Sequence, residues 1–317
     1  MFTCALCRGS QGLQIARSDA KTGAPLDVRF CESCGLVQQS PIPSIDELRV
    51  YYSHHYRQDY KKTYFPKLKY VYRAGLAAKD RIAFLMACLE KQGIQQTGLK
   101  LLDIGAGGGE VVYAANRSGF AATGIEPNEG YSEFARNNYG VQVDTMHLDQ
   151  FTGDPCDVVT MFHVLEHMPN PHAVMEKVSS LLKPDAYFLV EVPNIEQADA
   201  SPANIYFKAH LFYLSAGTLT AFGSAHFDPI AINSKGNLKI LFKKKTNQAD
   251  LTLPDDNLVT KAKARLKEKG WVEYLTTGGG WKKPFSRLRR DLRFKALTET
   301  TPKAILVRAL GKTSESG

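Results

Sequence analysis

The sequence predicts an α/β protein. A mostly parallel sheet carries helices on both faces, with a cysteine-bearing segment before it and a basic helical extension after it. Three observations predict this. From about residue 99 to 193, short apolar runs alternate with helical stretches, the βαβα order of a parallel sheet covered on both sides. Two Cys-x-x-Cys pairs sit in the first 40 residues. Positive charge is concentrated near the C-terminal end.

At ~150 residues per domain, a chain of 317 residues suggests two domains with an appendage. Hydrophobic residues make up 44% and charged residues 23%, which excludes a disordered chain. No run of ~18 uncharged apolar residues is present, so no membrane span is expected. MFTCALCRGS has no basic region leading into an apolar one, so the expected localisation is cytoplasmic. In that reducing compartment the six cysteines are not expected to form disulfides. The net charge is +8, yet Lys261 to Lys312 alone holds 15 Lys/Arg against four Asp/Glu. The remainder therefore carries −3, and the basic character belongs to the tail rather than the body.

The elements read as follows. Residues 74–92 form a helix, with Ile82, Leu85, Met86 and Leu89 at i, i+3, i+4 and i+7, ended by Gly93. LKLLDI (99–104) is a buried strand, 109–118 a helix and AATGIE (121–126) a second strand. A helix from Glu129 to Asn138 stops at Gly140, VQVDT is a third strand and CDVVTMF (156–162) a fourth. A helix over 172–182, a turn at Pro184-Asp185 and a fifth strand over 187–193 follow. Ser215 caps a short helix, and IAINS and NLKILFKK form a hairpin across Lys235-Gly236. Residues 243–257 read as a linker, then 258–269 and 285–298 as helices broken by Gly278-Gly279-Gly280.

LLDIGAGGGE (101–110) ends the first strand and opens a helix. Glycines there let a ligand approach the backbone, and the helix start offers free N–H groups. A tight turn explains a lone Gly-x-Gly equally well, but two acidic residues agree with a ligand site. Asp103 stands two residues before Gly105, where a carboxylate attracts a cationic amino group. Glu126 stands at the end of the second strand, suited to hold ribose hydroxyls bidentately. Together they favour a ligand with a positive end over a pyrophosphate.

These residues resemble the class I S-adenosylmethionine (SAM) methyltransferases. LLDIGAGGGE is similar to that family's first motif, GIEPN (124–128) to its second, and DVVTMFHVLEHMPNP (157–171), containing Val164-Leu165-Glu166-His167, to a third. The hairpin matches the family's antiparallel seventh strand. The alternative, a dinucleotide-dependent oxidoreductase, would usually have a fully parallel sheet. The resemblance spans about 76–245 and implies a Rossmann-like seven-stranded methyltransferase sheet that binds SAM. It places Asp103, Gly105 and Gly107 at the methionine end, Glu126 on the ribose with Asn128 nearby, and Leu148 and Asp149 beside adenine. Phe162 and His163 would floor the site. His167 either serves it or hydrogen-bonds the loop.

Cys4, Cys7, Cys31 and Cys34 form two Cys-x-x-Cys knuckles separated by 23 residues, eased by Gly9 and Gly35. Four thiolates at that spacing suit tetrahedral Zn2+, and four Cys ligands leave no open position, so the metal is expected to be structural. A redox pair or plain buried cysteines are the alternatives. Cys88 and Cys156 read as core residues. A zinc-ribbon start followed by LVQQSP and SIDELRVYYSHHY resembles the N-termini of bacterial deoxysugar methyltransferases and of methyltransferases from surface-polysaccharide gene clusters. That resemblance implies a Tyr-rich lid, with Tyr51, Tyr52, Tyr56 and Tyr60 as candidates; an amphipathic stripe packed on the sheet edge is the other reading.

Methyl transfer from a sulfonium is an in-line displacement that needs alignment and exclusion of water. A hydroxyl nucleophile also needs a base, for which His is well matched near neutral pH. The loop after the fifth strand holds His210, in Phe207-Lys208-Ala209-His210-Leu211. It resembles a sugar C-methyltransferase stretch containing Tyr-x-Glu-His, of which the His is kept and the Tyr and Glu are absent. O- or N-methylation with His210 as base therefore fits better than C-methylation. His210 ordering the loop is the alternative.

In the tail, Lys282, Lys283, Arg287, Arg289, Arg290, Arg293 and Lys295 surround Phe285, Leu288 and Leu292. A phosphorylated or nucleotide-linked acceptor, anionic lipid or RNA would suit this charge, and so would a solvated helix docked by its apolar face. The expected domains are a zinc ribbon (1–45), a Tyr-rich lid (46–75), a SAM-dependent methyltransferase domain (76–245) and a basic C-terminal extension (246–317). The expected activity is methylation of a sugar or glycan intermediate, nucleotide- or lipid-linked, in surface-polysaccharide biosynthesis. Peripheral membrane contact through the tail is a further expectation. An rRNA methyltransferase is less favoured because the basic excess is confined to the tail, and a non-catalytic SAM-binding adaptor because the acidic residues and glycine loop are intact.

Overall fold

The computed structural model describes residues 2–44, 47 and 66–311; Tyr51, Tyr52, Tyr56 and Tyr60 lie outside them. Among the described residues the strands are β1 (Gly12–Ser18), β2 (Pro25–Cys31), β3 (Val37–Gln39), β4 (Lys100–Ile104), β5 (Ala121–Ile125) and β6 (Val143–Asp144). β7 (Cys156–Phe162), β8 (Leu182–Val192), β9 (Phe212–Tyr213), β10 (Phe227–Asn233) and β11 (Leu238–Lys244) complete them. The helices are α1 (Leu68–Lys91), α2 (Glu110–Arg117), α3 (Glu129–Tyr139), α4 (Pro171–Ser180) and α5 (Ala216–Gly223). Near the C-terminal end follow α6 (Asp256–Glu268), α7 (Trp271–Leu275), α8 (Lys283–Lys295) and α9 (Pro302–Leu310).

Seven strands form the main sheet in the order β10-β11-β8-β7-β4-β5-β6. β4 pairs in parallel with β7 and β5, and β5 in parallel with β6, whereas β10 and β11 are antiparallel. This is the Rossmann-like α/β fold with its terminal hairpin. β8 begins at Leu182, five residues before the expected start, and contains Pro184 and Asp185, the latter at φ 59°. β10 includes Pro229, which an edge strand tolerates because it need not donate on its outer side.

The chain divides into two compact units. One comprises the described parts of Met1–Tyr60, His163–Ser179 and Glu191–Ser286; the other Lys61–Phe162, Ser180–Val190 and the described part of Arg287–Gly317. In the first, a four-stranded antiparallel sheet runs β1-β2-β3-β9. Alternate residues Leu26, Val28 and Phe30 of β2 face one way, as strand geometry demands, and join Val37, Ile195, Tyr213 and Val259 in one core. The N-terminal ribbon is thus built together with the 195–213 loop and α6.

In the second unit α1 and α9 pack closely: a Cβ on Gly75 would stand 2.8 Å from Ala309 Cβ. Thr301 caps α9 by accepting a hydrogen bond from the Ala304 N–H, with Pro302 at the first helical position. Ile305, Leu306 and Ala309 are buried, so part of the extension belongs to the body of this unit.

Candidate functional site

The glycine loop is shaped by backbone that only glycine adopts easily. Gly105, Gly107 and Gly109 have φ of 74°, 54° and 84°. A Cβ on Gly109 would also stand 2.7 Å from the Ala135 side chain, where α2 starts against α3. From the end of β5, Glu126 accepts hydrogen bonds from the Gly107 N–H (2.8 Å) and the Asn128 N–H (2.9 Å). Asn128 caps α3 through the Tyr131 N–H. Three candidates from separate motifs, Gly107, Glu126 and Asn128, are therefore in direct contact.

Asp103, at the end of β4, is 2% exposed and accepts a hydrogen bond from Thr160 Oγ1 at 2.7 Å. Burial pushes its carboxyl up to about 7; the Thr160 hydrogen bond and the Arg81 charge oppose this, while Glu126 and Glu110 add to it. Arg81, from α1, lies 4.4 Å from the centre of the Phe162 ring at the end of β7. Leu148 and Asp149 begin a short 3-10 turn in which Leu148 is buried and Asp149 exposed. The turn is held by Gln150 Oε1, which accepts from the His147 N–H.

A second cluster lies in the other unit. His163 adopts φ 57°, and its N–H donates to the Glu191 carbonyl at 2.8 Å. Its ring stands between two carboxylates, Nε2 3.0 Å from Glu191 Oε1 and Nδ1 3.3 Å from Glu166 Oε1. Asn237 donates to Glu191 Oε1, and Lys239 Nζ lies 3.7 Å from Glu191 Oε2. Glu166 is 1% exposed; burial favours its neutral form, but His163 and the nearby rings of His167 and His210 overcome it and hold the pKa at about 2. His167 Nδ1 donates to the Ala209 carbonyl at 2.6 Å, so the loop-holding role foreseen for it is present.

His210 packs edge-on against His167, ring centres 4.9 Å apart, with Phe207 at 4.0 Å. Its Nε2 lies 3.9 Å from Glu166 Oε1. Burial and His167 lower its pKa to about 3 against the pull of Glu166, so the imidazole is neutral at physiological pH and well below the range expected of an ordinary His. Its loop is fastened from the ribbon: Gln39 Nε2 donates to the carbonyls of Lys208 and His210, and Asp19 accepts from the Lys208 N–H.

Two groups among the described residues have the donors for a metal ion. The sulfurs of Cys4, Cys7, Cys31 and Cys34 lie within 4.8 Å of one another, with Cys4–Cys34 and Cys7–Cys31 both at 3.5 Å. Tetrahedral zinc with Zn–S of ~2.3 Å separates its sulfurs by ~3.8 Å, so the quartet fits that ion. The Gly9 N–H donates to Cys7 Sγ, the outer support expected of a thiolate ligand. The ligand atoms of Glu166, His167 and His210 also lie within 4.8 Å of one another.

In the sequence Glu166 stands out only as part of a motif, and Arg81, Thr160, Glu191 and Asn237 carry no local signal of a role. Each sits inside an apolar strand or helix pattern or in a turn, where local spacing carries no sign of a distant partner.

Residues 70–223 match the family model described as a methyltransferase domain. The chain is 32% identical over 109 residues to a ubiquinone biosynthesis O-methyltransferase of Haemophilus ducreyi, covering 31% of this chain and 46% of that one. A protein of the same name from Actinobacillus pleuropneumoniae is 33% identical over 110 residues, covering 31% and 47%. The chain thus spans about half the length of the curated relatives it matches. Among solved structures, magnesium protoporphyrin IX methyltransferase from Synechocystis PCC 6803 is similar with a TM-score of 0.44 at 15% identity, covering 63% of this chain and 96% of that one. The PH0226 protein from Pyrococcus horikoshii OT3 gives 0.42 at 15% identity, covering 52% and 91%. With the glycine loop, the acidic residue ending β5 and the hairpin-terminated sheet, the match over residues 70–223 supports a SAM-dependent methyltransferase domain there.

Proposed function

We propose that the protein transfers a methyl group from SAM to an acceptor oxygen. The observation that carries SAM binding is the contact of Glu126 with the Gly107 N–H beside a buried Asp103. SAM supplies a methyl group on a sulfonium. In this reading Asp103 holds the amino group, Glu126 the ribose and the Leu148–Asp149 turn flanks adenine. His210, neutral before reaction, takes the acceptor proton, and the Glu166 carboxylate stabilises the imidazolium that forms. The relatives' name, O-methyltransferase, favours oxygen over nitrogen.

A sugar or glycan acceptor rests on the resemblance of the N-terminal segment and the His210 loop. The relatives' names point instead toward a ubiquinone precursor, and we retain that as the second reading. Structural zinc in the four-cysteine site completes the proposal, supported by the sulfur spacing.

Calorimetric titration with SAM tests the core of this reading. Glu126→Ala strips the Gly107 and Asn128 N–H groups of their acceptor and is expected to weaken SAM binding by about 1–3 kcal/mol. Unchanged affinity removes Glu126 from the site. Methyl transfer from labelled SAM to candidate sugars and to ubiquinone precursors then separates the two acceptor classes.

A further inference from the structure

Large apolar side chains left in water are concentrated in one stretch of this protein. Of 15 such exposed residues among the described ones, seven fall between Trp271 and Leu292. Val272 is 79% exposed and Phe285 68%. Both tryptophans of the chain, Trp271 and Trp281, are more than half exposed. An indole has a large apolar body and one polar edge, and it favours the boundary between water and lipid.

Helix α8 shows the arrangement on a single element. Phe285, Leu288 and Leu292 stand at i, i+3 and i+7 and share one stripe. The opposite side is engaged: the Phe294 ring lies 6.0 Å from Tyr72, and Asp291 pairs with Lys69 at 2.7 Å. By helical geometry Arg289 and Arg293 border the stripe on one edge and Lys295 on the other, and all three are exposed. Residues 271–295 carry seven Lys/Arg against two Asp/Glu. Lys282 Nζ lies 5.0 Å from the centre of the Trp281 ring.

The basic border selects an anionic partner, and the aliphatic and aromatic stripe selects one with an apolar interior. Nucleic acid meets the first demand, but its phosphates offer nothing to Phe285, Leu288 or Leu292. An anionic bilayer meets both, with headgroups for the arginines and acyl chains for the stripe. At 13 residues α8 is shorter than the ~20 needed to span a bilayer, so it would lie in the interface plane. We propose that α8 is a membrane-docking helix that seats the protein on an anionic lipid bilayer through its Phe285/Leu288/Leu292 stripe and arginine border.

The tryptophans provide the assay. The full chain is mixed with vesicles of phosphatidylcholine alone, or of phosphatidylcholine with phosphatidylglycerol, each with and without brominated acyl chains. Expected are co-sedimentation with the anionic vesicles, a blue shift of tryptophan emission and quenching by the brominated chains. The variant Phe285→Ser/Leu288→Ser/Leu292→Ser should bind at least about tenfold more weakly with SAM affinity unchanged. Arg289→Gln/Arg293→Gln should bind more weakly at low salt, and it carries the test if the triple variant misfolds. No preference for anionic vesicles, or sedimentation without quenching, overturns the proposal. So does tight binding of an RNA oligonucleotide without vesicle binding, or a stripe-dependent dimer that ignores vesicles.

Discussion

Gln39 and His210 are 171 residues apart in sequence, yet Gln39 Nε2 donates a 2.7 Å hydrogen bond to the His210 carbonyl and a 2.9 Å bond to that of Lys208. Gln39 is 4% exposed and ends β3, which pairs with β9, beginning two residues after His210. The cysteine ribbon is therefore a brace for the candidate catalytic loop. Gln39→Ala leaves two carbonyls without their donor and is expected to lower stability by about 1–3 kcal/mol. Turnover should fall while SAM affinity holds; chemical denaturation and calorimetry measure the two. Unchanged turnover would separate the brace from catalysis.

Metal analysis of the purified chain should find about one zinc in the four-cysteine site, and Cys31→Ser should lose it. Because β2 carries Cys31 and pairs with β3, loss of zinc should also loosen the 207–213 loop, seen as faster amide exchange there. Full zinc occupancy in Cys31→Ser would refute the four-cysteine ligand set.

With Asp103 holding the SAM amino group, as proposed, SAM binding is expected to depend on pH. Its pKa is raised from 3.8 to about 7, so below pH 7 the free protein holds this proton. A bound ammonium group favours the carboxylate and expels it. SAM affinity should therefore rise with pH through about 7 and level off above, with up to one proton released near pH 6. Titration in buffers of different ionisation enthalpy counts that proton, and Asp103→Asn should abolish its release. The raised pKa also means that stability contributed by the neutral carboxyl is lost as pH rises through about 7.

His210 shifts the other way, from 6.5 to about 3. The unfolded chain takes up a proton below pH 6.5 that the folded chain refuses, so this contribution to stability is present above 6.5 and lost as pH falls toward 3. Acid unfolding of His210→Gln should be correspondingly less steep. As base, His210 should contribute ~10²–10⁴-fold to turnover, so His210→Ala loses about that much, and the rate limb belonging to it should lie well below pH 6. A variant that keeps most of its turnover would end the general-base role.

By itself the sequence determined the features whose cause is local. Alternation of apolar runs and helices set the order of β4 to β8. Glycines at 105, 107 and 109 marked the turn that needs positive φ, and Ser215 and Gly140 marked helix ends. Cysteine spacing specified a four-sulfur cluster, because two-residue knuckles chelate whatever the rest of the chain does. The tertiary structure alone decided what depends on partners far away in sequence. β9 is two residues long, too short for any periodicity, and exists because β3 offers it hydrogen bonds. α9 lies in a stretch with no assigned element and is held by packing against Gly75. The directions in which Asp103 and His210 titrate are likewise invisible locally, since burial and neighbouring charge are set by the assembled fold and dominate over the intrinsic chemistry of the side chain.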